Sequence, residues 1–525
     1  MSTSEYVESG LPTGTPIPGD YSGPLRPQVH FSPPQGFMND PNGMFVDANG
    51  TWHLYYQYNP TGLVPGNTHW GHATSQDLYH WTNQPIALFP ENSTALIFTG
   101  SCVVDVNNTS GFFPDQDNGV VAIYTLNTPT EEVQQISYSF DGGYSFERYD
   151  GNPVLRIGST QFRDPKVIWY NDHWVMVIAF AQDFAIGIYT SADLKEWKFA
   201  SNVTHVGILG NQYECPNLVQ VPVEGSDDAM WVLTISINPG APQGGSITQY
   251  IPGDFNGTHF TPVDQVARTS SFAKDDYAAQ FFYGTPAGSD AISIGWASNW
   301  QYTDQVPTAW EGWRSAMTIP RRHYLKNLTR TGWDLISAPY NLDAILGGEL
   351  SYDSDFINKS VTVDFSGSPS NAIWFQANFT LASNLIYPSY ASLNFSFSSK
   401  STGESVSGGY LFGGANAGQA WLDRGRTYAF DNPFYTNRFS IAQAGLASQI
   451  SALFDRSIIE MFLDGGDHSG TATFFPSEPL TRLTVATTGM PEGSEVRIGV
   501  WQVNSAWASM GNNGTWVQGN ITTRS

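Results

Sequence analysis

The chain has 525 residues, too many for one compact core, so two or three domains are expected. A net charge of −24 works against nucleic acid or an anionic membrane surface as partner, whereas a neutral polyhydroxylated substrate meets no such repulsion. With 14% aromatic and 13% charged residues, 51 Gly and 32 Pro, the composition excludes a disordered chain and points to many short strands joined by tight turns.

In chain order, residues 1–25 read as an N-terminal extension. They open with neither the basic n-region nor the apolar h-region of a secretory signal. No apolar run in the chain approaches the roughly 18 residues that a membrane span requires. Phe37-Met38-Asn39-Asp40-Pro41-Asn42-Gly43 follows. Asp-Pro and Asn-Gly are both turn dipeptides, which predicts a bend holding the Asp40 carboxylate on a rigid corner. Strands are predicted at 51–58, 119–124, 166–170, 174–180, 231–237 and 291–296.

A weak repeat punctuates this region. Thr74-Ser75-Gln76-Asp77-Leu78-Tyr79-His80-Trp81 returns as Thr190-Ser191-Ala192-Asp193-Leu194-Lys195-Glu196-Trp197. Looser copies start at Tyr138 and Gly253, with Asp141 and Asp254 taken as the equivalent acids. Each reads as a hairpin whose acid caps the turn and whose aromatic plugs between sheets, one per β-propeller blade. Four copies and their flanking strands predict five blades over 26–335. A linker with a short helix near 340–346 is expected over 336–349, and alternating runs at 360–365, 372–381, 391–397, 458–462 and 482–487 predict a β-sandwich over 350–525. The fold class is therefore all-β. Of the sandwich aromatics, Tyr428, Phe430, Phe434 and Tyr435 are expected in the core, or, if exposed, at a subsite or a dimer contact.

Cys102 and Cys215, the only cysteines, are expected to be unpaired. Twelve Asn-X-Ser/Thr sites (Asn49, Asn92, Asn107, Asn108, Asn202, Asn256, Asn327, Asn358, Asn378, Asn394, Asn513 and Asn520) predict a secreted protein with N-linked glycans.

The chemistry is read from three acids of the first domain, in Asn39-Asp40-Pro41, Phe162-Arg163-Asp164-Pro165 and Glu214-Cys215-Pro216. Each stands at a turn or strand start, and strand starts of different blades converge on a propeller axis. Two carboxyls flanking a glycosidic bond are the minimal apparatus for its hydrolysis, a fixed Asp as nucleophile and a longer Glu as proton donor. Arg163 is expected to keep Asp164 ionised and to present donors to sugar hydroxyls.

These motifs, together with Gln57-Tyr58-Asn59-Pro60, Trp70-Gly71-His72-Ala73, the stretch 296–302, Trp313-Arg314-Ser315-Ala316-Met317 and Asp455-Arg456-Ser457-Ile458-Ile459-Glu460, resemble glycoside hydrolase family 32, the invertase, inulinase and fructosyltransferase group. The resemblance implies a five-bladed propeller joined to a β-sandwich. It also implies a retaining β-fructofuranosidase acting on sucrose and fructooligosaccharides, with Asp40 as nucleophile, Glu214 as acid/base and Asp164 as transition-state stabiliser. Asn39, Gln57, Phe98, Thr99, Arg163 and Trp296 would line the fructosyl pocket, no metal or cofactor is implied, and a homodimer through the sandwich is a further expectation. Three places depart from the family pattern, where Phe37, Pro65 and Thr99 stand for the more usual Trp, Trp and Ser, and all three bear on acceptor preference. The alternatives are a fructosyltransferase, an exo-inulinase or a non-catalytic sugar-binding glycoprotein.

Overall fold

The structure, a computed structural model, describes residues 8, 10–286, 288–328, 332–381, 387–413, 417–507, 509–510 and 516–517. Asn513 and Asn520 lie outside the described residues.

Five sheets stand around one axis as a β-propeller. Their innermost strands are Gly36–Val46, Leu96–Val104, Phe162–Tyr170, Tyr213–Pro222 and Tyr277–Phe281, and each touches the next around the ring until the last meets the first. These strands are largely buried on both faces, so the polar residues they carry, among them Asp40, Arg163, Asp164 and Glu214, are enclosed near the axis. The ring closes where Trp313–Arg314, from the fifth blade, pairs in parallel with Gly36 and Phe37 of the first.

The repeats are the turns between the third and fourth strands of four blades. Asp77 accepts the backbone N–H of Tyr79 and His80 at 2.9 and 2.8 Å, Asp141 those of Tyr144 and Ser145, and Asp193 those of Lys195 and Glu196. In the fourth copy the capping residue is Asn256, bonded to Thr258 and His259, and not Asp254, which lies within the strand Ile247–Phe255. The aromatic that ends each copy, Trp81, Phe146, Trp197 or Phe260, packs into the apolar cores of the propeller, so the repeat marks hairpins that are pinned at both the turn and the core.

The second domain is a sandwich of two six-stranded antiparallel sheets. Phe375 and Phe454 on one sheet meet Phe395 and Phe397 on the other, with the rings of Phe397 and Phe454 stacked 4.3 Å apart. The four aromatics that could be core or surface divide evenly. Tyr428 and Phe434 are exposed, while Phe430 and Tyr435 pack with Phe475 and Tyr302.

The expected boundaries shift. Residue 335 falls inside the last propeller strand, Gly332–Pro339, and the sandwich starts with Leu346–Asp353. The connector is thus shorter than 336–349, and its helix is a single 3-10 turn, Leu342–Ala344. The short spacing leaves no free linker, because the domains share a buried polar boundary. Asp455 accepts the backbone N–H groups of Gln28, Val29 and His30, while Arg321 of the propeller donates to Glu460 of the sandwich.

Candidate active site

Every innermost strand departs from regular pairing near the same end. The register slips at Met38/Pro41, Ile97/Gly100, Arg163/Lys166, Glu214/Asn217 and Tyr277/Gln280. Asp40, Thr99, Asp164, Cys215 and Ala278 sit in these bulges, and Asp164, Cys215 and Ala278 have φ of 67°, 47° and 51°. A bulge inserts one residue and re-aims its side chain. The Asp-Pro and Asn-Gly pairs around Asp40, read as a turn, are therefore a doubly bulged strand. The pairing breaks there because Pro41 lacks an N–H and Gly43 adopts φ 53°.

The bulges bring the three acids together. The Asp40 carboxylate is 7% exposed, and its Oδ2 accepts the Thr99 hydroxyl at 3.0 Å and the Cys215 thiol at 3.3 Å. Its Oδ1 is buried and has no partner among the described residues. Asp164 Oδ2 accepts the Cys215 backbone N–H at 2.9 Å, and the Asp164 N–H is donated to the Thr125 hydroxyl. Glu214 accepts the Gln212 amide at 3.0 Å and a short hydrogen bond from the Tyr277 hydroxyl, and it lies 3.4 Å from Arg163 Nε. Cys215 thus touches both aspartates, and neither it nor Cys102 is in a disulfide.

Burial raises all three carboxyls above their ordinary range. For Asp40, donors from Asn39, Cys215 and Thr99 pull the other way. Asp164 is pushed highest, because the charges of Glu214 and Asp40 add to burial and Arg163 only partly offsets them. Glu214 is raised by burial and the charge of Asp40, against Arg163 and the Tyr277 hydrogen bond. Three buried carboxyls so close together, with the Arg163 charge acting on Asp164 and Glu214, cannot all ionise easily.

Arg163 does not bond the Asp164 side chain, contrary to expectation. Successive strand residues point to opposite sides, and its guanidinium turns to Glu132 at 3.0 Å and to the Gln161 and Gln212 amides. Its charge still lowers the Asp164 pKa, but burial acts more strongly in the opposite direction.

Around the acids, Gln57 donates to Thr99 at 3.4 Å and leaves Oε1 buried without a partner among the described residues. Trp296 is fully buried, donates to Ser315 at 2.7 Å, and packs against Tyr277 and Trp300. Phe37 is buried against Trp300. Phe98 is half-buried and its carbonyl accepts the Trp70 indole N–H. Tyr277, Glu132 and Gln212 are not singled out by the sequence. Tyr277 follows Asp275-Asp276 at a strand start, the one available signal; Glu132 and Gln212 carry no pattern of their own.

A family model for the glycosyl hydrolases family 32 N-terminal domain matches residues 30–339, and one for the family 32 C terminal matches 353–502. The chain belongs to glycosyl hydrolase family 32. It is 41% identical to invertase 2 of Saccharomyces cerevisiae over 86% of this chain and 89% of that protein. It is also 41% identical to an extracellular exo-inulinase of Meyerozyma guilliermondii over 86% of this chain and 90% of that one. The structure of a fructofuranosidase variant from Schwanniomyces occidentalis, complexed with fructosylnystose, superposes with a TM-score of 0.85 at 36% identity, over 93% of this chain and 99% of the other. This family 32 enzyme is a glycoside hydrolase of the β-fructofuranosidase type, and its propeller and sandwich are the two domains of the family.

Proposed function

We propose that the enzyme cleaves terminal fructosyl residues from sucrose and short fructans with retention, through a covalent fructosyl-enzyme on Asp40. The observation that carries this is the split in the Asp40 carboxylate. Oδ2 is fixed by Thr99 and Cys215, whereas Oδ1 has no partner among the described residues and is free to attack. In the first step Oδ1 bonds to the anomeric carbon as the glycosidic bond breaks, and Glu214 gives its proton to the departing oxygen. In the second step the Glu214 carboxylate takes a proton from water, the water oxygen bonds to the same carbon, and the Asp40 ester bond breaks. Asp164, oriented by the Cys215 N–H, places negative charge beside the oxocarbenium-like transition state. Arg163 and Tyr277 favour the ionised Glu214 that the second step requires.

A sugar hydroxyl that reaches the intermediate before water gives transfer, so transfructosylation competes at high sugar concentration. Secretion fits the extracellular relative and the sequons. Asn49, Asn92, Asn107, Asn202, Asn256, Asn327, Asn358 and Asn394 are exposed, although both polar atoms of the Asn358 amide bond to the Met490 backbone. The test is sucrose hydrolysis by Asp40→Ala and Glu214→Ala, each expected to fall by about 10⁴-fold or more at unchanged fold. Near-native rates in either variant would refute the role assigned to that acid. The ratio of free glucose to free fructose from concentrated sucrose measures transfer, and a ratio near unity throughout would limit the enzyme to hydrolysis.

A further inference from the structure

The acids stand near the starts of the inner strands, and the segment that follows Trp296 begins at that same end of the propeller. The strand Ala291–Trp296 ends at Trp296, beside Tyr277, and after an excursion the chain returns alongside it at residues 316–318, ahead of the strand Arg321–Leu328. Within this excursion Trp313–Arg314 pairs with Gly36 and Phe37, four and three residues before Asp40. The 3-10 turn Pro307–Glu311 immediately precedes that pairing.

Trp310, in this turn, is 78% exposed. Its exposure does not come from a loose backbone. Pro307 starts the turn, and the next residue, Glu311, accepts the Leu25 backbone N–H at 2.8 Å and the Trp313 indole N–H at 2.9 Å. An anchored turn therefore holds a large aromatic face in water.

A second such ring comes from the other domain. Phe434 is 54% exposed, on the sandwich segment between Ala417–Arg426 and Arg438–Ala444. This segment docks on the same excursion, with the Asn432 amide donating to Gln305 at 3.0 Å and Lys274 Nζ donating to the Phe434 carbonyl at 2.6 Å. Lys274 lies just before Tyr277, the partner of Glu214, so this contact too is at the acid-bearing end. Phe430 and Tyr435 on the same segment are used in packing, and Phe434 is not.

We propose that Trp310 and Phe434 form a sugar-binding platform across the domain boundary that takes the outer units of a fructan chain on the leaving-group side. The platform rests on the reading of the buried acids as a fructosidase site. Chemistry and continuity identify the occupant. The fructosyl unit to be cleaved sits against the buried acids, so the rest of a longer chain must leave across the face that carries these rings. Sugar C–H faces stack on exposed aromatics, and the amides of Gln305 and Asn432 offer hydrogen bonds to hydroxyls. The backbone is already fixed, so little ordering cost is added on binding. Sucrose ends before the platform, so it gains nothing from it.

The test compares the intact enzyme with Trp310→Ala and Phe434→Ala on sucrose and on inulin-type chains of increasing length. Sucrose turnover should stay within about twofold, whereas kcat/KM on chains of four or more units should fall about tenfold, the size of one lost aromatic anchor, mainly through KM. Trp310→Phe should recover most of the loss. Equal loss on every substrate, or no loss on any, overturns the platform. So does a change from dimer to monomer with no chain-length effect, which would make the two rings a self-association surface. If the intact enzyme cleaves no fructoside at all, the reading of the site falls and the platform falls with it. If it cleaves sucrose normally and the variants show no chain-length effect, the platform alone falls.

Discussion

At the propeller axis, Asp164 and Glu214 share one cationic neighbour, Arg163, and an oxygen of the adjacent Asp40 is left without a partner among the described residues. At the boundary between the domains, Asp455 and Glu460 are fully buried, yet they are saturated with donors. Asp455 accepts three backbone N–H groups and the His30 ring, and Glu460 accepts the Ile319 N–H, His30 and Arg321. In both places burial is the largest influence and acts to raise the carboxyl. At the axis it prevails. At the boundary the His30 and Arg321 interactions overcome it, so Asp455 is lowered and Glu460 falls to about 2. The difference in donors, at similar burial, separates acids that hold the molecule together from acids kept available for reaction.

The comparison can be broken most forcefully at the boundary. Glu460→Ala removes one of two buried carboxylate partners from both Arg321, which keeps Asp276, and His30, which keeps Asp455, and should cost about 3 kcal/mol of unfolding free energy by denaturant titration. A loss below about 1 kcal/mol would mean that this carboxylate does not hold the boundary together. His30 gives the next largest effect. Burial lowers its pKa, but the hydrogen bonds to Asp455 and Glu460 outweigh that and raise it to about 9. Its contribution, of order 3 kcal/mol, is therefore complete below the unfolded value near 6.5 and is lost as pH rises from there through about 9. Unfolding midpoints measured from pH 6 to pH 10 should fall across that window, and the fall should be absent in His30→Gln.

The axis should respond in the opposite direction. Asp164→Asn removes a carboxyl that burial and its acidic neighbours disfavour, so the variant should be about 1 kcal/mol more stable than the parent while losing turnover. A destabilised variant would place Asp164 with the structural acids. The smallest effect is at Tyr277. Its hydroxyl favours the ionised Glu214, so Tyr277→Phe should raise the Glu214 pKa and move the alkaline limb of the kcat/KM profile to higher pH. A limb that stays in place would remove Tyr277 from the control of the acid/base.

Much of this was legible in the sequence, for physical reasons. Asp40, Asp164 and Glu214 stand beside or near prolines, a combination that marks broken pairing, and the hairpin repeats revealed the blades because Asp and Trp act locally within one turn. The form of the break was not legible, since a bulge and a turn use the same residues and only the partner strand distinguishes them. Long-range pairing was hidden as well. Arg163 stands next to Asp164 in the chain but spends its charge on Glu132 and Glu214, and nothing local joins Tyr277 to Glu214 across 63 residues. The boundary was the least legible part, because His30 meets Asp455 and Glu460 from the opposite end of the chain.

That last arrangement bears on how the enzyme is made. The strand that carries Asp40 is the first propeller strand to leave the ribosome, but its neighbours Gly36 and Phe37 pair with residues 313–314, and residues 28–30 are held by Asp455. Asp40 is synthesised early and seated late. A nascent chain that ends before the sandwich contains all three acids but lacks Asp455, the group that holds the segment leading to the first of them.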